Sequence, residues 1–195
     1  MLAKTHQAFG LFTVALALHY THTPIVSVPG VAALGVSLIT SILSDADNPN
    51  STPAKAFFPV AWLLELLQVK HRGATHSILA AALWWALAAV VRHWVISIGT
   101  LHVAAWPIAI GAAVGYTSHI VIDLLNREGE QLFWPLRGRF ALYLVSSDGL
   151  VNRLLEPVFL VAFFAVVLFG IGAEYATVRF IFVTAHHLSN LIPIP

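Results

Sequence analysis

Three short stretches place histidine and aspartate at spacings that can hold a cation. In SHIVID (118–123), His119 and Asp123 are four residues apart, which on a helix puts imidazole and carboxylate on one face within reach of one ion. SDAD (44–47) offers Asp45 and Asp47 at the end of an apolar run, and the NPNS that follows forces a turn. HRGATHS (71–77) sets His71 and His76 five apart, off register for one straight helix. There Gly73 permits a bend, and Thr75 is placed to cap the next helix. Each stretch alone has a plainer reading: a hydrogen-bonded His119–Asp123 pair tying two helices, a turn capped by Asp45 and Asp47, or His71 and Arg72 resting at the headgroups.

The elements that must position these residues are apolar helices. Of 195 residues, 58% are hydrophobic and 10% charged, against about 25% charged in a soluble domain, so the chain is a membrane protein. No Asp, Glu, Lys or Arg occurs between Lys4 and Asp45, or in 73–91, 93–122 and 157–173. Each run approaches or exceeds the roughly 20 residues that span a bilayer. The expected order is helix 5–20, helix 25–43 after a break at HYTHTP, a polar loop with a short amphipathic piece at 57–67, helix 76–92, helix 102–125, a second polar loop, then apolar residues 157–190 as one tilted helix or two turning near GIGAEY. This describes an all-α, polytopic membrane bundle of four to six membrane helices, with residues 1–195 as a single domain. Lys4, the apolar stretch to Leu18, Ala15 and Ala17 also fit a signal peptide; the second apolar run, which follows at once, favours a spanning hairpin. Disulfides and thiolate sites are excluded by the lack of cysteine, and a net charge of +1 provides no basic field for nucleic acid. Oligomeric state is not legible.

Folding the first four helices as two hairpins gathers Lys4, Lys55, Lys70, Arg72, Arg127, Arg137, Arg139 and Arg153 on one side, and leaves Arg92 at the opposite end. The crowded side is then the cytoplasm. His6, Asp45, Asp47, His71, His76, His119 and Asp123 fall on that same face, whereas His19, His22, His93 and His102 fall on the other as interfacial residues. His186 and His187 remain unplaced. Seven costly polar groups on one face invite an ion, and their nitrogen and oxygen donors suit Zn, with Mn or Fe as alternatives.

The sequence resembles the YdjM-like family of bacterial inner-membrane proteins, described as membrane-bound metal-dependent hydrolases. The likeness runs in order through KTHQAFG (4–10), SDADNPNS (44–51), HRGATHS (71–77) and GYTSHIVIDLLNREGEQLFWP (115–135). That family in turn resembles the all-helical zinc-dependent phospholipase C and P1 nuclease group. The resemblance implies that His6 matches an early helix histidine, the DAD carboxylates a bridging aspartate, His71 or His76 the next histidine, and His119 with Asp123 an HxxxD pair. The soluble enzymes add a later HxxxE pair, which this chain lacks after residue 123; Glu156 is the nearest carboxylate to that position and has no partner histidine. One or two metal ions therefore fit better than three.

The chemistry expected of such a site is phosphoester hydrolysis at the cytoplasmic membrane face. Asp45 or Asp47 would accept a proton from activated water, and Arg72, with Arg127 as second candidate, would hold the phosphate. The substrate is a membrane lipid or a soluble phosphoester. A carrier of ions or protons, and a metal-binding protein without turnover, are the alternatives. A carrier needs polar groups staggered through the bilayer, whereas Val103–Ala113 is apolar. The Lys/Arg asymmetry makes a direct prediction: reporter fusions at Asn50 and Gly138 both report cytoplasmic, and a periplasmic signal at either overturns the two-hairpin arrangement.

Overall fold

Small residues decide how closely the apolar helices pack. The computed structural model describes residues 2–146 and 149–191, and its helices are α1 (Ala3–Tyr20), α2 (Val28–Leu43), α3 (Thr52–Ala56), α4 (Phe58–Leu66), α5 (Ile78–Val90), α6 (Ala105–Asp123) and α7 (Leu150–Leu191). Helix α6 carries Gly111 and Gly115 one turn apart, and both face α2. A Cβ on Gly111 would lie 2.7 Å from the Ala33 carbonyl oxygen; one on Gly115 would lie 2.5 Å from Thr40 Oγ1. Gly10 of α1 likewise meets Ser41 of α2, where an added Cβ would come within 2.7 Å of the serine Cβ. Close approach through small residues is how helices gain contact in lipid, where apolar burial supplies little net drive. Val14 and Leu18 of α1, Ile25 and Ala33 fill the core beside Val114 and Val167.

The helical membrane bundle expected from composition is what the structure has. Among the described residues, three helical segments are long and apolar enough to cross a bilayer: Val28–Asp47, Ala105–Asp123 and Leu150–Thr177. Helix α5, at 13 residues, is shorter. The tail forms one continuous helix with no break at residues 170–175. Its side chains at His186 and His187 lie outside the described residues.

Three local expectations change. Helix α6 starts at Ala105 rather than 102, because VISI and LHVA pair as antiparallel strands β1 (Val95–Ile98) and β2 (Leu101–Ala104) around Gly99, whose φ of +61° a two-residue hairpin turn accepts. The piece at 57–67 is not clearly two-faced, since α4 is apolar apart from Glu65 and buries none of its residues. Finally, Ser77 rather than Thr75 caps α5, accepting from the Ala80 amide at 3.2 Å, because the Thr75 hydroxyl is committed to Asp47.

The α2–α6 contact is tested by a pair of variants. Gly115→Ala should destabilise by roughly 1–3 kcal/mol through overpacking. Gly35→Ala, where an added Cβ meets nothing within 4 Å, should be neutral or slightly stabilising through helix propensity. Thermal unfolding of both in one detergent checks the contrast.

Candidate metal centre

Four separate pieces of chain converge at one end of the bundle. Helix α1 brings His6 in its first turns; α2 continues into a 3-10 turn, Ser44–Asp47; a turn at 70–76 supplies His71, Arg72 and His76; and the last turn of α6 supplies His119 and Asp123. His6, His76, His119 and Asp123 are all fully buried.

The two carboxylates of DAD divide the work. Asp47 holds the turn: its Oδ1 lies 2.6 Å from His71 Nδ1, and its Oδ2 accepts from the Arg72 amide at 3.2 Å and the Thr75 hydroxyl at 2.5 Å. Tyr116 of α6 ties the same turn down by donating to the Thr75 carbonyl. Asp45 instead points its Oδ1 at the facing imidazoles, 3.4 Å from His76 Nε2 and 3.6 Å from His119 Nε2. Its side chain is 17% exposed, whereas that of Asp47 is fully covered.

His119 is oriented by the α2–α6 packing. Its Nδ1 lies 2.7 Å from the Ser41 carbonyl, an acceptor, so the proton sits on Nδ1 and the Nε2 lone pair faces inward. There it meets His76 Nε2 at 3.1 Å and Asp123 Oδ2 at 3.9 Å. Two inward ring nitrogens this close need a proton or a cation between them. Asp45, His76, His119 and Asp123 each offer one donor atom, all within 4.8 Å of one another. Bonds of about 2.0–2.1 Å to a tetrahedral ion imply ligand–ligand edges of about 3.3 Å, and the measured edges of 3.1, 3.4, 3.6 and 3.9 Å bracket that value. A second group, Asp45, Asp47, His71 and His76, shares two members with the first. The donor set thus fits a divalent ion such as zinc.

His6 lies beside these groups rather than in them. It stacks on His119 with ring centroids 3.9 Å apart, and its Nε2 is 3.3 Å from the other oxygen of Asp123. Arg72, expected either to hold a phosphate or to rest at the headgroups, lines a cavity beside the cluster but is largely buried. It is 5% exposed, with Nη2 3.4 Å from Asp123 Oδ2 and 3.1 Å from Glu128 Oε2, while its Nε and Nη1 have no hydrogen-bond partner among the described residues. The bend is also made differently. Arg72 itself takes the left-handed conformation at φ +62°, whereas Gly73 is required for space, since a Cβ there would lie 2.8 Å from the Lys70 carbonyl oxygen. Glu156 sits in α7, outside both ligand groups, and Arg127, the second phosphate candidate, is not among the residues that line the cavity at the cluster.

Glu130 was not anticipated. It is fully buried, with no hydrogen-bond partner on either carboxylate oxygen, and burial, reinforced by the charges of Asp123 and Asp45 and opposed by those of His76 and Arg72, pushes its carboxyl up to about 8. In sequence NREGEQ reads as a solvated loop. Only Gly129, at φ +69°, hints at the turn that sends Glu128 to Arg72 and Glu130 inward. At His76 burial opposes the charged ring, yet hydrogen bonds to Asp45 and Asp47 outweigh it and hold the imidazole up at about 10.

A cavity of about 290 Å³ opens beside the cluster, and Asp45, His71, Arg72 and Glu128 line it. The remaining predicted histidines lie elsewhere: His19 and His22 at the α1–α2 connection, His93 after α5, and His102 in β2, where it bonds Ser97.

Comparison with known proteins matches the chain, over residues 1–186, to the family described as YdjM inner membrane protein. Inner membrane protein YdjM of Escherichia coli (strain K12) is 30% identical over 161 residues, covering 76% of this chain and 74% of the relative; the protein of the same name from Shigella flexneri matches to the same extent. No solved structure matches the chain significantly. With apolar helices long enough to cross a bilayer, and a match that takes in every stretch contributing to the His/Asp cluster, the chain belongs to the YdjM family of inner membrane proteins.

Proposed function

We propose that this protein is a multi-pass, membrane-bound, metal-dependent hydrolase of phosphoesters whose active face is cytoplasmic. The observation that carries the reading is the cavity of about 290 Å³ that opens beside the cation-binding cluster and is lined by its partly exposed carboxylate, Asp45, and by the Arg72 guanidinium. Asp45, His76, His119 and Asp123 would hold the ion; a second ion at Asp45, Asp47, His71 and His76 would have to displace the hydrogen bonds that Asp47 makes within the turn. When bound, such an ion supplies Lewis-acid activation of water and of a phosphoryl oxygen.

The chain's own groups do the rest. Of the two DAD carboxylates, Asp45 is the one that reaches the cavity and is the natural proton acceptor from water; Asp47, its oxygens already taken by His71, Thr75 and the Arg72 amide, fixes the turn instead. Arg72 lines the cavity, and its guanidinium is of the kind suited to a phosphate anion. Carrier function gains no support from the geometry, because the clustered His and Asp residues all lie at one end. The buried residues of α6 before Tyr116 are Ala105, Pro107, Gly111, Ala112, Ala113 and Gly115, none of which can relay a proton through a side chain.

Two variants separate the roles. His119→Ala should weaken zinc binding by about 10- to 100-fold or more and abolish hydrolysis of a chromogenic phosphodiester. Arg72→Lys should keep zinc near the wild-type content and lower turnover roughly 10- to 100-fold, since an ammonium cannot reproduce a bidentate grip. Zinc retained by wild type with no hydrolysis of any phosphoester would make this a binding protein.

Uptake of the ion must also displace the proton that His76 holds up to about 10. A raised proton affinity competes with the metal at every pH below that value. Apparent zinc affinity should therefore rise with pH, by about tenfold per unit for one proton released. Titration at pH 6.5 and 8.5 in buffers of different ionisation enthalpy measures both affinity and proton count, and a pH-independent affinity contradicts ligation by His76.

A further inference from the structure

The turn at 70–74 is a wall with a cavity on each side. His71 and Arg72 face the cluster. Lys70, Gly73 and Ala74 line a separate cavity of about 550 Å³, closed on its other side by Gln131, Trp134 and Arg137. Lys70 and Arg137 are the only charged residues lining it, and among the described residues neither forms an ion pair. Two unpaired cations facing one hollow call for an anion.

The apolar side of the hollow says which anion. Leu67 and Trp134, at 64% and 41% exposed, lead from it onto α4, where Phe58, Trp62, Leu63 and Leu66 are exposed as well. At nine residues, α4 is about 13.5 Å long, less than half a bilayer's hydrocarbon core, so it cannot cross. An exposed, uncrossing helix that is apolar but for Glu65 and adjoins the polar turns of a membrane protein offers a surface suited to acyl chains. A free phosphate would use the cations and ignore this surface, whereas a lipid uses both.

We propose that this second cavity binds the headgroup phosphate of an anionic glycerophospholipid through Lys70 and Arg137, with its acyl chains lying along Leu67 and α4. The site is distinct from the metal centre and does not depend on hydrolysis. Because Gly73 and Ala74 belong to both the lipid pocket and the turn that carries His71 and His76, a bound lipid braces that turn from behind.

Native mass spectrometry of the detergent-solubilised protein tests this with added phosphatidylglycerol, phosphatidylcholine or inorganic phosphate. Wild type should retain phosphatidylglycerol in preference to phosphatidylcholine. The double variant Lys70→Ala/Arg137→Ala should lose that retention by about tenfold or more, while eluting as wild type on size exclusion. A matched double variant, Lys55→Ala/Arg153→Ala, removes two exposed cations that do not line the cavity and should retain the lipid. Leu67→Glu should weaken both lipids. Equal retention by wild type and the Lys70/Arg137 variant, or an equal loss in the matched control, overturns the site. Displacement of phosphatidylglycerol by equimolar inorganic phosphate would mark a free-anion pocket and overturn the lipid assignment.

Discussion

The carboxylate of Asp47 is the interaction on which the site depends. It is buried, and a buried carboxylate is tolerated only when donors surround it. Those donors are His71, the Arg72 amide and the Thr75 hydroxyl, all drawn from one short turn some 25 residues further along the chain. By collecting them it holds Arg72 in a left-handed conformation that an arginine rarely adopts, and so sets which way His71, Arg72 and His76 face. Replacing Asp47 would release the turn and leave the imidazoles of His71 and His76 without their shared acceptor.

Around that hub the buried charges compensate one another. His6 and Arg72 both lean on Asp123, and Arg72 also reaches Glu128; His76 lies between Asp45 and Asp47. Groups removed from water in this way are strongly interdependent, because deleting one leaves its partner charged, buried and uncompensated. A cluster of this kind therefore responds to a cation or a proton as a unit, and His76 shows the effect: its neighbours hold a proton on it well above the ordinary range for histidine.

The membrane part of the fold serves the site through distance. Gly111 and Gly115 let α6 settle against α2 closely enough for His119 to reach the Ser41 carbonyl, which selects the tautomer that turns Nε2 inward. A bulkier α6 would keep its histidine and aspartate four residues apart yet shift them away from Asp45 and His76. Helix packing and ligand geometry are in this sense one constraint.

Much of this was legible in the residues themselves. Apolar runs free of charge set the helices, since lipid leaves the backbone few alternatives to helix. The periodicity of a helix alone puts His119 and Asp123 on one face, and the distribution of Lys and Arg gathers the polar stretches at one end. What one sequence could not supply was contact between distant segments. SDAD gives no reason to separate Asp45 from Asp47, whose roles differ only because one meets the 70–76 turn and the other meets His119. Likewise Glu130 reads as loop until the strand-like pairing of its backbone with Phe140 turns it inward, and Arg72 reads as an exposed cation until Asp123 and Glu128 bury it. Composition and periodicity are local and survive any arrangement of the helices; burial and partnership exist only once the helices have packed, and so only the tertiary structure decided them.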